Sequence, residues 1–340
     1  MSALSEIKYL FQFLVLFFSL AVNSIFIFLV IKESPKKLGN YKYLMCYFSI
    51  ISMIYTIIDV LIQPYIHSHG AAYGIFIDLR INFLESYPVI AFTFAASLTG
   101  CFAAAIYAIS INFIYRFFAL ERQGRLRYFS KRGLIFWALI PILVAVIFII
   151  NNWYFLYPTS EVTDYLRDNL RQVFDMDPDR ITYIACLYWK PDELGDLRFN
   201  WKHFTGSMTL NFFVTLPLCI ITYYGSKSYG KIKELISQGE SEYSRRLQMQ
   251  LYKALVAQTL LPIVFLFIPV GSVMVCPFFG INAEWASPLI TFLYSFYPAV
   301  DPIPIIILVD DYRNAFFNFF RRALSQNQVV SVVSFDIHSH

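Results

Sequence analysis

The stretch YLFQFLVLFFSLAVNSIFIFLVI, residues 9–31, runs for 23 residues without a charged side chain and is bounded by Lys8 and Lys32. A helix needs about 20 mostly apolar residues to cross a bilayer core about 30 Å thick. The stretch is longer than the apolar core of a signal peptide, and no convincing small-residue cleavage site follows it. We therefore expect a transmembrane helix that stays in the mature protein.

The composition of the whole chain predicts more such helices. Of its 340 residues, 58% are hydrophobic and 15% are charged, and the mean hydropathy is +0.55. Soluble domains carry about 25% charged residues. Six further apolar runs predict an all-α bundle of seven transmembrane helices within residues 1–310. The seven predicted spans are 9–31, 43–64, 87–115, 134–155, 204–226, 252–275 and 287–309.

Lysine and arginine predict the orientation of the bundle. Four segments on one side of the predicted spans, 32–42, 116–133, 227–253 and 310–340, hold 19 of the 27 Lys and Arg residues. Short loops rich in these residues stay in the cytosol. We therefore expect the N-terminus outside, the C-terminus in the cytosol and a long extracellular loop at 156–203.

The expected extracellular loop contains a helical pattern. Apolar residues recur at Val162, Leu166, Leu170 and Val173, a spacing typical of one helix face. Two alternatives follow: a short surface helix across the outer mouth of the bundle, or a solvated loop with no special role.

Two of the five cysteines, Cys186 and Cys276, fall outside the spans on the extracellular side. Disulfides persist in that oxidising compartment. The two residues are therefore a candidate disulfide pair, with free thiols as the alternative.

Asp59 and Asp301 are the two acidic residues clearly inside the predicted spans. Ionisable groups at that depth cost about 2.5–3.5 kcal/mol on insertion scales and are functional candidates by default. Asp59 lies near Gln63 in the outer third of the second span. It either lines an outward-facing cavity or makes a structural hydrogen bond within the bundle.

Asp301 is predicted in the cytoplasmic half of the seventh span, directly before Pro302, which can bend the helix. It lies nine residues before Asp310, about 13 Å from the end of the span at the rise of an α-helix. Asn23 lies nine residues before Lys32, at the same depth. We therefore predict that Asn23 and Asp301 face each other.

The third span has a small residue at every fourth position, Ala96, Gly100 and Ala104. Such spacing lets helix backbones approach closely and predicts a central helix. Tyr115 and Arg116 follow at its cytosolic boundary, where a lone arginine is usually an anchor.

After the seventh span, residues 311–324 predict an amphipathic helix on the membrane surface, and residues 325–340 are expected to be disordered.

Several function classes are disfavoured. The chain has no GxxxxGK[ST], HExxH or CxxC motif, so we expect no enzyme, no cofactor and no nucleic-acid partner. His67 and His69 lack a clear third ligand, so no metal site is expected. The sequence shows no selectivity-filter signature and no matched pair of broken helices, which argues against a channel of that type and against a transporter.

Four stretches resemble one known family. They are LGNYKYLMCYFSIISMIYTIID (38–59), NFIYRFFAL (112–120), RRLQMQLYKALVAQTLLPIVFLFIP (245–269) and FYPAVDPIPIIILVDDYR (296–313). They are similar to the nematode serpentine chemoreceptors of the Str family, which includes the receptor for the odorant diacetyl. The resemblance implies a G-protein-coupled receptor for a small odorant or chemical cue. It also implies a heterotrimeric G protein as partner, and a multi-pass protein of the plasma membrane in sensory-neuron cilia.

The resemblance also implies switch residues. Tyr115 and Arg116 resemble the family's Tyr-Arg at the end of the third helix. Asp301 and Pro302 resemble the Asn-Pro of rhodopsin-like receptors, although Ile305 occupies the tyrosine position of that motif. Asn23 resembles the first-helix asparagine of those receptors. Arg245 and Arg246 begin one of the matching stretches and complete the candidate coupling residues.

The candidate ligand-binding residues are chosen by their depth in the predicted spans and by the polarity of their side chains. A pocket with an aromatic lining and few polar anchors suits a small, weakly polar ligand. The alternatives are an odorant-gated ion channel, whose inverted topology the Lys and Arg distribution opposes, and a small-solute transporter. The candidate ligand-binding residues are Asp59, Gln63, Phe94, Ser97, Asn211, Phe212, Met274 and Tyr294.

Overall fold

The computed structural model of the chain describes residues 3–35, 38–81, 83–121, 125–191, 197–237, 241–318 and 321. The predicted bundle of seven transmembrane spans is confirmed. Five of the spans are single helices, each long and apolar enough to cross a membrane. They are α1 (Ala3–Glu33), α2 (Tyr41–Ile62), α3 (Pro88–Glu121), α4 (Lys131–Phe155) and α6 (Trp201–Ser237), and the shorter α5 (Ser160–Phe174) lies between the last two.

The sixth span consists of two α-helices. A π-helical turn at Ile263–Phe267 joins α7 (Glu242–Pro262) to α8 (Ile268–Val275). Such turns interrupt the regular hydrogen-bond ladder and are frequent at functional sites. Here the turn follows Pro262, which has no N–H to donate.

The seventh span is interrupted as well. It comprises α9 (Ser287–Val300) and α10 (Ile303–Leu308), separated at Asp301 and Pro302. The span is therefore interrupted at the proline that the sequence singles out as able to bend it.

Several helices extend beyond the predicted spans. The helix α7 begins at Glu242, ten residues before the predicted start of the sixth span, and α6 continues to Ser237 instead of ending near 226. Hydropathy detects only the apolar part of a helix, so these polar extensions were missed.

A further helix, α11 (310–318), follows the seventh span and covers part of the predicted surface helix. Tyr312 in α11 is fully buried, and its hydroxyl lies 2.8 Å from Ser34 Oγ. The remainder of the predicted surface helix, apart from residue 321, and the predicted disordered tail lie outside the described residues.

The helix α3 is the centre of the bundle, as its small residues predict. Most of its side chains from Ala91 to Leu120 are buried. A Cβ atom on Gly100 would lie 3.0 Å from the carbonyl oxygen of Ala145 in α4. The close approach of these two helices therefore depends on glycine at this position.

The outer end of the bundle carries a β-sheet that the sequence did not reveal. The antiparallel strands β1 (Tyr65–His69), β2 (Ala72–Asp78) and β3 (Ile181–Leu187) pair in that order. Gly70, with φ of +53°, begins the two-residue turn between β1 and β2. A second, smaller hairpin consists of β4 (Trp189–Pro191) and β5 (Leu197–Phe199).

The helix α5 covers the outer face of the three-stranded sheet. Its residues Val162, Leu166, Leu170 and Phe174 pack on Tyr65, Phe76 and Tyr183 of the sheet. The surface helix expected from the apolar spacing is thus present, except that Phe174 is buried where Val173 was expected; Val173 is 41% exposed. The sheet and α5 together, which we call the outer cap, close the end of the bundle that the sequence predicts to be extracellular.

Candidate functional site

A cavity of about 140 Å³ lies directly beneath the outer cap. Its roof is formed by residues of the sheet, including Ile66, Tyr73 and Gly74. A Cβ atom on Gly74 would lie 2.6 Å from the carbonyl oxygen of Ile184 in the neighbouring strand. Glycine at this position therefore lets β2 and β3 pair closely enough to form the roof.

The walls of the cavity are mostly apolar and aromatic. Phe102 from α3 lies with its ring 5.7 Å from the rings of both Phe267 in the sixth span and Tyr294 in the seventh. Phe148 from α4 and Leu210 from α6 complete the apolar surface. Five spans and the cap therefore meet around this single space.

Three polar side chains from transmembrane helices contribute to the walls: Thr99, Asn152 and Asn211. The amide nitrogen of Asn152 donates to Thr99 Oγ1 at 2.8 Å, and that of Asn211 donates to the carbonyl oxygen of Ser207 at 2.9 Å. Above them, the hydroxyl of Tyr73 donates to Ser207 Oγ at 2.7 Å. Concave, largely apolar sites with few polar anchors are typical of small-molecule binding.

Three of the predicted ligand-binding residues, Asn211, Met274 and Tyr294, line the cavity. Phe94 packs against the same core, and Ser97 donates to the carbonyl oxygen of Thr93 within its own helix. Phe212 is 62% exposed on the outside of the bundle. Its helix places the neighbouring Asn211 at the cavity instead.

Sequence reasoning missed Asn152, Thr99 and the whole roof. The adjacent polar pair Asn151–Asn152 inside the apolar fourth span was the available signal. The roof gave no comparable signal, because it depends on strand pairing between residues more than 100 positions apart.

Asp59 and Gln63 belong to a separate polar cluster among the first, second and seventh spans. Asp59 Oδ2 accepts from Gln12 Nε2 at 3.0 Å, and Gln12 Nε2 also lies 3.3 Å from Ser295 Oγ. Lys8 donates to the carbonyl oxygen of Gln63 at 2.6 Å. Of the two alternatives for Asp59, the structure shows the hydrogen bond within the bundle.

Asn23 and Asp301, which were predicted to face each other, share no hydrogen bond among the described contacts. Asn23 Nδ2 donates to the carbonyl oxygen of Pro298 at 3.1 Å and to that of Ser19 at 2.9 Å. Asn23 thus contacts the seventh span almost one turn before Asp301. Counting residues from the helix ends gave the right depth but not the direction in which each side chain projects.

Asp301 has other partners. The hydroxyl of Tyr297 donates to Asp301 Oδ1 at 3.5 Å. Gln258 Nε2 donates to the carbonyl oxygen of Asp301 at 2.8 Å. Pro302 cannot supply an N–H at this break. The N–H that proline lacks would have bonded to the carbonyl oxygen of Pro298, which accepts from Asn23 Nδ2 instead. The bond from Gln258 separately joins the sixth span to the interruption of the seventh.

The cytoplasmic end of α3 is tied to two neighbours. Tyr115 stacks on Tyr41 with ring centroids 4.6 Å apart, and its hydroxyl donates to the carbonyl oxygen of Leu38 at 3.0 Å. Arg116 is buried and donates to the side-chain oxygen of Gln248 in α7. Arg116 therefore joins the third span to the sixth and is more than a surface anchor.

A second tie joins α7 to the end of the seventh span. Asp310 accepts from Gln250 Nε2 at 2.6 Å, lies 2.8 Å from Arg246 Nη2 and pairs with Arg313. The hydrogen bond from Gln250 and the two guanidinium groups hold the pKa of Asp310 below its ordinary value. Arg245, beside Arg246, has a buried Nε without a hydrogen bond among the described residues. We call the contacts of Arg116 and Asp310 with α7 the cytoplasmic clasp.

Comparison with known proteins adds an independent observation. The family model described as "Serpentine type 7TM GPCR chemoreceptor Str" matches residues 8–317. The chain belongs to the Str family. It is 31% identical over 304 residues to "Serpentine receptor class r-10" of Caenorhabditis briggsae, covering 88% of this chain and 86% of that protein. It is also 24% identical over 331 residues to "G-protein coupled receptor str-33" of Caenorhabditis elegans, with 94% of both chains covered.

Membership of the Str family places the chain among multi-pass membrane receptors of the G-protein-coupled class, and its relatives are receptors, not enzymes. It favours a receptor over the ion channel and the transporter.

The candidate disulfide of this Str-family chain is not formed. Both thiols are free. Cys186 is buried in β3, and this burial raises the pKa of its thiol. Cys276 begins the turn that follows the sixth span. A disulfide requires the two Cα atoms to lie within about 7 Å with their side chains directed at each other, and the cap holds Cys186 against tyrosines instead.

The outer cap of this receptor is joined to the seventh span by polar contacts. His67 is buried, its Nε2 lies 2.7 Å from Asn169 Oδ1 in α5 and its Nδ1 lies 3.0 Å from Ser287 Oγ. His69 pairs with Glu284, which also accepts from Asn169 Nδ2 at 2.9 Å. Burial lowers the pKa of His67 below its ordinary value of 6.5. The neutral imidazole therefore connects β1, α5 and the start of α9.

Proposed function

We propose that this chain is a chemosensory receptor of the olfactory type, which binds a small molecule in the cavity beneath the outer cap and activates a heterotrimeric G protein at its cytoplasmic end. One observation carries the proposal. The sixth span supplies both Phe267 to the cavity and Gln248 to the clasp. These residues are 19 positions apart, or about 28 Å along a helix, so one element contacts both sites.

Physically, the ligand has to bind one arrangement of the sixth span more tightly than another, because a ligand with equal affinity for both does not change the equilibrium between them. Phe267 lies in the π-helical turn, between two helical segments that can change their relative direction. A ligand that favours a different packing of Phe267 against Phe102 therefore changes the position of α7. The bonds of Gln248, Gln250 and Arg246 at the clasp respond to that change.

The proposed switch residues act at this clasp and along the seventh span. Tyr115 and Arg116 hold the end of α3. Arg245 and Arg246 belong to the α7 surface that faces the cytosol. Asn23, Asp301 and Pro302 determine the course of the seventh span, and Asp310 follows it at the start of α11. The family relationship supports expression in the cilia of sensory neurons, where the receptor is proposed to reside.

The test is a nucleotide-exchange assay with the full chain in lipid nanodiscs and a panel of purified heterotrimeric G proteins. Small volatile compounds are added one at a time, and an agonist is expected to raise the exchange rate of at least one heterotrimer. If compounds that bind the purified receptor raise the exchange of none, the proposed function is wrong. Accessibility of a tag on the C-terminus tests the topology, and a tag on the extracellular side would also contradict it.

A further inference from the structure

The side-chain amide of Asn152 has an orientation that its neighbours determine. Asn152 is fully buried on the cavity wall, and its Nδ2 lies 2.8 Å from Thr99 Oγ1. The hydroxyl of Thr99 donates its only proton to the carbonyl oxygen of Ala96 at 2.8 Å. Towards Asn152, Thr99 is therefore an acceptor. The amide has to turn its nitrogen to Thr99, which leaves its oxygen elsewhere.

That oxygen is the unsatisfied group of the site. Asn152 Oδ1 is buried and accepts no hydrogen bond among the described residues. A buried acceptor without a donor costs about 1–3 kcal/mol. Neighbouring donors bond elsewhere: the hydroxyl of Tyr73 donates to Ser207 Oγ, and Asn211 donates one of its two N–H groups to the carbonyl oxygen of Ser207. The group that the site lacks is a hydrogen-bond donor.

The rest of the cavity constrains the ligand further. Apart from Asn152, its described lining offers Thr99, Asn211, the tyrosines Tyr73 and Tyr294 and otherwise apolar surface, with no side chain that is charged at neutral pH. A charged ligand would lose its hydration without a counter-charge. The volume of about 140 Å³ is close to that of an engineered apolar cavity of about 150 Å³ that binds benzene. The ligand is therefore neutral and has roughly six to eight heavy atoms.

We infer that this receptor selects neutral, compact molecules that carry one hydroxyl or N–H donor, and that Asn152 Oδ1 accepts the hydrogen bond. The inference rests on the proposed function, because it assigns the chemistry of that receptor's ligand. A ketone or aldehyde of the same carbon skeleton has only an acceptor oxygen, which cannot donate to Asn152 Oδ1 and leaves it unsatisfied. Sites that hydrogen-bond a hydroxyl discriminate strongly against analogues that lack it.

The experiment uses pairs of probes with matched carbon skeletons: cyclohexanol with cyclohexanone, hexan-2-ol with hexan-2-one, and benzyl alcohol with benzaldehyde. Binding to the purified full chain in nanodiscs is measured from the thermal stabilisation that each probe causes. Each alcohol is expected to have a Kd about tenfold below that of its carbonyl partner, which corresponds to about 1.4 kcal/mol.

Two variants test the role of Asn152. In Asn152→Leu, the alcohol preference is expected to fall below about threefold, because the acceptor is gone. In Thr99→Val, the amide loses the partner that orients it and can turn its N–H to the ligand. The carbonyl probes are then expected to bind more tightly and the preference to shrink. Thr99→Val keeps the shape of the side chain, so it provides the answer if Asn152→Leu does not fold.

Asn151→Leu is the matched control. Asn151 is adjacent and buried, and its Nδ2 donates to the carbonyl oxygen of Gly206 at 3.2 Å, while its Oδ1 also lacks a partner among the described residues. It is not part of the cavity lining, so the variant should retain the full alcohol preference.

Three outcomes would overturn the inference. They are carbonyl probes that bind as tightly as the alcohols, an alcohol preference that survives in both test variants, and no binding by any probe. Selective alcohol binding without G-protein activation would instead contradict the proposed function alone.

Discussion

The cavity and the cytoplasmic clasp hold their polar side chains in different ways. In the cavity, Asn152 presents an unsatisfied oxygen among apolar and aromatic side chains. At the clasp, Arg116 and Asp310 each bond to α7. The buried oxygen at the cavity lacks a donor that a small molecule can supply, whereas Arg116 and Asp310 each have a partner in α7, although Arg116 Nε lacks one among the described residues. This difference indicates where a ligand can add free energy and which contacts have to rearrange in response.

The largest effect is expected at the clasp. Arg116→Gln removes the guanidinium that joins the third span to the sixth, the connection through which a change at the cavity is proposed to reach the cytoplasmic end, so agonist-stimulated nucleotide exchange should fall at least tenfold. The Kd of the ligand for the receptor alone should change less than twofold, because the cavity is remote. Arg127→Gln, at an exposed cytosolic arginine that hydrogen-bonds to Tyr128, is the control and should change neither quantity. A loss of ligand binding equal to the loss of exchange would show that Arg116 serves overall stability.

A smaller effect is expected at the roof. In Gly74→Ala, the new Cβ would lie 2.6 Å from Ile184 O and 2.8 Å from Ala185 Cβ, and overpacking of this kind costs about 1–3 kcal/mol. Ligand affinity and the melting temperature should both fall. Gly230→Ala is the matched control, because its Cβ would meet nothing within 4 Å and alanine favours a helix. If both variants behave alike, the close pairing of β2 and β3 does not support the cavity.

The smallest effect is a pH dependence of the outer cap. The folded state keeps His67 neutral, so the unfolded state binds the proton more tightly. The free energy of unfolding therefore falls as the pH drops below about 6.5, by at most about 1.4 kcal/mol per pH unit. Burial alone would raise the pKa of Glu284, but the hydrogen bond from His69 holds it below its ordinary value, so this carboxylate stays ionised in that range.

Melting temperatures of the purified receptor between pH 8 and pH 5 measure this dependence. His67→Gln should flatten the curve below pH 6.5, whereas the contacts at the cytoplasmic clasp should be unaffected. A wild-type melting temperature that stays constant down to pH 5 would contradict the role of His67 in the cap.

The spans were predictable from the sequence, and the two functional regions only in part. An uncharged run such as residues 9–31 predicts a membrane helix by length alone. The small residues around Gly100 predicted the central helix correctly. The start of α7 at Glu242 was missed, because its first turns are polar.

Direction around a helix was harder to predict than depth. Asn23 and Asp301 lie at similar depth, yet Asn23 bonds to Pro298. The direction of each side chain depends on the interruption at Pro302 and on the rotation of each helix, and packing of the whole bundle determines both. The cavity was predicted through Asn211, Met274 and Tyr294. Its roof required the pairing of β2 with β3, which no local pattern in the sequence indicates.

The central claim is that the cavity and the clasp are coupled, and linkage makes that claim measurable. If ligand binding promotes G-protein binding, the G protein has to raise ligand affinity by the same factor. The measurement is the Kd of the tightest-binding alcohol probe for the receptor in nanodiscs, with and without its nucleotide-free heterotrimer. We predict a Kd at least fivefold lower with the heterotrimer, and no such difference in Arg116→Gln. An unchanged Kd in the wild-type receptor with the G protein bound would contradict the account.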